Sequence, residues 1–214
     1  MRTAGATNLY GSGNITMTNA SVLEATESFT LSRRLIMGSA SDGTNSVGVV
    51  NVAADKELTL DAGSGGVGGV GQMVKTGNGT LILASSNNVN NGTDAAMFLQ
   101  AGTLVVTNTG TLGNPTAGVF FAMNGGALDL GTTTQAVGGF TVNDGTVSNG
   151  AISNSGTYNV AAGTIAAALT GASANLTKTG SGTATLSGNN SYGGTTTVTA
   201  GLLIVNGNQS AALG

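Results

Sequence analysis

Apolar and polar residues alternate in short bursts along this chain, and Gly, Asn, Ser or Asp-Gly closes almost every burst. Leu81 and Leu83 alternate with Thr80 and Ile82. Leu128 and Leu130 flank Asp129, Val142 lies between Thr141 and Asn143, and Ile152 lies between Ala151 and Ser153. A period of two bounded by turn formers marks half-buried strands of about 4–6 residues. No 3.6-residue stripe survives the glycines. The alanines of Thr157–Gly171 have a helical composition, but the matching stretch Val50–Gly63 reads as strand, so strands are expected in both.

The bursts are themselves repeated. VKTGNGTLIL at Val74–Leu83 corresponds to TKTGSGTATL at Thr177–Leu186, 103 positions later. Asn51–Leu60 pairs with Asn159–Leu169, Asn87–Asn88 with Asn189–Asn190, and Gln100–Val106 with Thr199–Val205. Thr111–Gly113 then pairs with Ala212–Gly214. Spacers between these blocks differ by a few residues, notably at Gly63–Gly71. Short strands with tight turns suit a sandwich, a barrel or a solenoid. A long repeat that tolerates small insertions favours the solenoid, because turns protrude from a stacked core. The inward positions are expected to be small and regular, and large aromatics are scarce. At about 20 residues per coil the chain predicts roughly ten coils, and about 4.8 Å per coil gives a rod roughly 50 Å long.

Composition narrows the function classes. Forty per cent of residues are apolar and 7% charged, with positive mean hydropathy, so disorder is disfavoured despite 37 glycines. One proline, Pro115, is too few for a proline-rich stalk. The absence of Cys removes disulfides and thiolate metal sites, and the absence of His removes the commonest general base and metal ligand. Six basic residues cannot form a nucleic-acid footprint, and no apolar run has the length of a membrane span. The start of the chain has no signal-peptide pattern. The chain reads as a piece of something longer.

The second copy is the fuller one. Lys178-Thr179-Gly180-Ser181-Gly182-Thr183 leads to Leu186-Ser187-Gly188-Asn189-Asn190-Ser191-Tyr192-Gly193-Gly194-Thr195-Thr196, and Val198 and Ala200–Val205 close it. This string resembles the autotransporter-associated β-strand repeat, also called the passenger-associated transport repeat. The first copy matches at Lys75–Thr80 and Ala101–Val106 but lacks the Tyr-Gly-Gly-Thr-Thr part, where VNNGTDAAMFLQ (Val89–Gln100) intervenes as a bulge or loop. Gly145–Gly171 looks like the linking coils found around this repeat, and Phe29–Gly38 is similar to them. The resemblance implies an all-β, right-handed parallel β-helix (β-solenoid), a single segment over 1–214. Related units fall at about 51–113 and 159–214, with linking coils at 114–158 and a less clear N-terminal part at 1–50. It also implies a parent protein displayed outside the bacterial cell, usually through a C-terminal outer-membrane barrel. The expected role is structural or adhesive, without catalysis. The expected partners are the segment itself, through coil faces or end coils, and host or surface carbohydrate. The alternatives are a polysaccharide-cleaving module or a carbohydrate-binding fibre module.

No residue is assigned a catalytic, cofactor-binding or metal-ligating role, and no cofactor is expected. Lys75 and Lys178 share a repeat position between turn glycines, and they are read as solvated turn residues that deter edge pairing. Asp55, Glu57 and Asp61 lie close in sequence, and Asp42 precedes Asp61 by about one coil. Paired carboxylates equip glycosidases, but nothing here marks a buried cleft, so these are read as turn residues. Asp129 and Asp144 are expected on different sides. Arg33 would fall inward if the alternation of Phe29 and Leu31 continued, so a turn is expected at Ser32–Arg34. Gly63–Gly71 lacks the Asp of calcium repeats and the Gly-Lys-Ser/Thr of a phosphate loop, and reads as a protruding turn. Thr132–Thr134 and Thr195–Thr197 do not recur once per coil, which disfavours a flat threonine array. Asn87, Asn88, Asn189 and Asn190 are read as left-handed or hydrogen-bonded turn residues and as a source of side-chain ladders.

Overall fold

The structure is a computed structural model and describes residues 2–3, 13–38, 46–62, 66–89, 96–107, 109–113 and 119–209. All the regular structure among them is β, and every strand pairing is parallel. The chain winds as a solenoid of about 8 turns, laying strands on three sides. The first side is a ten-stranded sheet running from Arg2–Thr3 and Ser21–Ala25 to Asn175–Lys178 and Thr196–Val198. The second is a nine-stranded sheet from Phe29–Leu31 to Leu202–Val205. The third side is split. A four-stranded sheet (Ile15–Met17, Leu35–Met37, Val67–Gly69, Asn88–Val89) gives way to a three-stranded one (Thr134–Val137, Ala151–Asn154, Ala168–Thr170).

The coils shorten along the rod. Successive partners Ser21, Gly48, Met73, Met97 and Phe121 lie 27, 25, 24 and 24 residues apart. Phe121, Phe140, Tyr158, Leu176 and Thr196 then follow at 19, 18, 18 and 20. The turn expected at Ser32–Arg34 lies between Phe29–Leu31 and Leu35–Met37. Part of the glycine-rich stretch read as a protruding turn is otherwise: Val67–Gly69 is a strand paired with Leu35–Met37, and Val67 is buried. Gly63–Gly65 lie outside the described residues.

Alternation sends every second side chain inward, and the register stacks these into columns. Leu58, Leu81, Leu104, Leu128, Val147, Ile165 and Leu186 form one column on the second sheet. The core is not uniformly small, contrary to the expectation for inward positions. Phe121, Phe140 and Tyr158 follow Met73 and Met97 in one column of the first sheet, and Tyr192 packs on Tyr158 from a turn. Ring centroids are 5.5 Å apart for Phe121–Phe140 and 6.2 Å for Phe140–Tyr158. The few aromatics are concentrated where coils are shortest, so bulky rings fill the interior there. Tyr158 also brings a polar end inside, which it satisfies by donating to Ile152 O or Thr170 O and accepting from Thr170 N.

This packing separates two neighbouring phenylalanines. Phe140→Ala should cost about 3–5 kcal/mol in urea unfolding, because it opens a cavity between Phe121 and Tyr158. Phe120→Ala, on the exposed face, should change stability by less than about 0.5 kcal/mol. Equal losses would contradict the column.

Candidate functional site

Lys75 and Lys178 are the largest departure from the sequence reading. Both are fully buried and not solvated. The cause is strand parity. Leu23, Val50, Lys75, Leu99, Met123, Val142, Val160, Lys178 and Val198 are successive partners in one inward column of the first sheet. Lys178 ends its strand and Lys75 stands one residue before the end of its own, both beside the turn into the second sheet. Lys75 Nζ donates to Thr76 O (2.8 Å), Gly77 O (2.8 Å) and Ala101 O (3.2 Å). Lys178 Nζ repeats the set with Thr179 O, Gly180 O (2.9 Å) and Ala200 O (3.0 Å). Two acceptors come from the lysine's own turn and one from the following coil. A buried ammonium with three donors is thus matched to three acceptors, the condition under which such burial is tolerated.

The Ala-Gly of the motif forms the far wall of each cage. A Cβ on Gly102 would lie 2.9 Å from Lys75 Nζ and 2.3 Å from Gly77 O. One on Gly201 would lie 2.7 Å from Lys178 Nζ. Both glycines also have φ near +70°, a conformation that costs other residues energy.

Side-chain amides hold the third side together. Asn87 Oδ1 accepts from Val67 N (2.7 Å), and its Nδ2 donates to Thr111 O (2.5 Å). Gln135 Oε1 accepts from Leu112 N (2.9 Å), and its Nε2 donates to Gly110 O (3.2 Å). These two amides flank the coil around Leu112, which contributes no strand to this side, and they bridge the two small sheets. Asn190 Oδ1 accepts from Leu169 N (2.8 Å), and its Nδ2 donates to Gln209 Oε1 (3.2 Å). Asn87 and Asn190 are buried, and none of the four paired asparagines has a left-handed backbone. Asn87 and Asn190 are coil-to-coil bridges. Gln135 was missed because only its register, opposite Ile152, shows that it points inward. Lysine burial did have a sequence signal: Leu176 and Lys178 share parity.

The acidic residues are occupied locally or dispersed. Asp55 sits in a turn at φ 60°, and Glu57 opens a strand whose amide donates to Ser28 Oγ. Asp61 follows the end of that strand. Asp42 lies outside the described residues, so its pairing with Asp61 is not displayed. Asp129 Oδ1 accepts from Gly131 N (2.8 Å) and Asn149 Nδ2 (2.7 Å), and Asp144 Oδ1 accepts from Gly145 N (2.7 Å). Lys56 pairs with Glu27 at 3.0 Å on the surface. Arg33 donates to Gly13 O. Thr134 opens a third-side strand while Thr196 and Thr197 lie on the first side, so the two threonine runs do not share a face. Among the described residues no three of His, Cys, Asp or Glu come together. A groove of about 340 Å³, lined in part by Ser153, Asn154, Ser155 and Ser173, contains hydroxyls and an amide and no titratable side chain. Burial raises the pKa of Tyr158 and Tyr192, so both phenols stay protonated.

With this geometry in place, the comparisons with known proteins are specific. The passenger-associated transport repeat family matches residues 73–112 and 176–205. The two lysine cages and the two buried asparagines fall within the matched segments. Two segments of the chain thus match this repeat. An 89-residue stretch is 39% identical to the adhesin BmaC autotransporter of Brucella suis biovar 1 (strain 1330). That stretch is 42% of this chain and 2% of the adhesin, so the chain spans a small part of the relative. No solved structure gives a significant match.

The cage predicts a pH dependence. Burial holds Lys75 down at about 8, against an ordinary value of 10.5. Between these values the unfolded chain binds the additional proton, so raising the pH stabilises the fold on this residue's account. The urea midpoint of the unsubstituted chain should gain more between pH 8 and pH 10 than that of Lys75→Met. Parallel profiles would contradict the burial of the ammonium.

Proposed function

We propose that this chain, two segments of which match the passenger-associated transport repeat, is a structural and adhesive segment of a secreted, surface-displayed bacterial autotransporter passenger, without catalysis of its own. The observation that carries this reading is where the polar chemistry goes. The buried cations, amides and the Tyr158 phenol are used to join one coil to the next, and the carboxylates are scattered over turns and strands. The name of the relative, an adhesin, supports the same reading. The mechanism is mechanical: hydrogen bonds run along the rod, coil to coil, and the rod holds its outer faces away from the cell surface. Partners belong on those faces and at coil edges. The last described coil exposes Val198, Leu202 and Val205, apolar side chains suited to a second copy or a further coil. Host or surface carbohydrate is the other partner class, received by contact and not by cleavage.

Two measurements test this. Incubated with a panel of polysaccharides, the purified chain should release no products. Specific cleavage that disappears in Asp42→Asn or Asp61→Asn would make it an enzyme module instead. Light scattering should show concentration-dependent association that weakens in Leu202→Lys, and a monomer at every concentration would remove self-association from the account.

A further inference from the structure

A rod built from similar strands has a register problem. Sliding one coil by two residues against its neighbour keeps every apolar side chain on the core face, so burial alone resists the slip weakly. The column that holds the lysines is otherwise Leu, Val and Met, shapes that discriminate little. Coil length does not fix the register either, since coils vary from 18 to 27 residues.

The geometry points to Lys75–Gly102 and Lys178–Gly201 as register locks, which set the alignment of the coil that follows each lysine. Only a residue without a side chain fits there, because a Cβ would stand 2.3 Å from Gly77 O or 2.4 Å from Gly182 O, and 2.9 or 2.7 Å from the ammonium those turns hold. A two-residue slip would bring Gln100 or Leu104 to the first cage, and Thr199 or Leu203 to the second. Each would press a side chain on the cage and would put a strand carbonyl (Leu99 or Thr103, Val198 or Leu202) in place of the turn carbonyl of Ala101 or Ala200 that the ammonium uses in register. The in-register arrangement alone supplies both the space and that turn carbonyl. Burying a charge in this way need not add stability, since apolar replacements of buried ionic groups are often neutral or stabilising while a single buried polar residue can fix register. Burial also works against the charged form of Lys75. The lock therefore acts on specificity, a role outside the adhesive reading of the rod's surface.

The chain has no cysteine, so disulfide trapping reads register directly. Ile82 pairs with Val105 on the outer face of the second sheet, and adjacent parallel strands are close enough for a disulfide at about 5 Å between Cα atoms. In the full chain, Ile82→Cys with Val105→Cys should cross-link, and Ile82→Cys with Thr103→Cys or Thr107→Cys should not. Adding Lys75→Met should raise cross-linking of the slipped pairs about tenfold, with the urea midpoint unchanged or higher at pH 7. Slipped pairs that stay uncross-linked in Lys75→Met would overturn the proposal, whether the midpoint falls or holds. Should Lys75→Met not fold, Lys178→Met gives the same reading with Thr185→Cys against Ile204→Cys in register and against Leu202→Cys or Asn206→Cys slipped.

Discussion

An ammonium group inside an apolar rod must find oxygen, and in this fold it finds backbone carbonyls at the turns. Lys75 and Lys178 meet this demand in the same way, with two carbonyls from their own turn and one from the next coil. Much of the repeat motif follows from it. The Thr-Gly after each lysine supplies the near acceptors. The Ala-Gly about one coil later supplies the far acceptor and the space. Motif residues that are distant in sequence are therefore the walls of one cage. The spacing from lysine to Ala-Gly tolerates insertions because the cage is defined between coils, not along the chain.

The amide bridges obey the same logic on the third side. There the strands are short, and the coils around Leu112 and Asn190 contribute none. Backbone groups left without a ladder partner still need one when buried. Asn87, Gln135 and Asn190 provide it from their side chains, each reaching the backbone of a neighbouring coil. Tyr158 does likewise between Ile152 and Thr170. A chain with 7% charged residues thus joins its coils by polar contacts, most of which are internal. Among the described residues no three of His, Cys, Asp or Glu gather.

The architecture was legible because period two and a repeated block are properties of the sequence itself. The alternations at Leu81, Leu128, Val142 and Ile152 all point inward as read, and the Arg33–Arg34 turn falls where a charged residue would otherwise enter the core. The lysines were misread because a cation between glycines has the composition of a solvated turn. Parity with Leu176 carries the contrary signal, but accepting it requires acceptors that only the neighbouring coil reveals. The same holds for Gln135, for the aromatic column and for the strand at Val67–Gly69. In each case the deciding partner is about one coil away in sequence, and the register that brings it close is not written locally.

The most direct test of the account is the exchange of lysine ammonium protons with solvent, followed by side-chain nitrogen–proton correlation NMR. The chain has three lysines, and Lys56, on the surface beside Glu27, is the internal reference. Two slowly exchanging ammonium signals are predicted, one removed by Lys75→Met and the other by Lys178→Met. Three signals that exchange alike, at the rate of Lys56, would contradict the buried cages and the explanation of the repeat that rests on them.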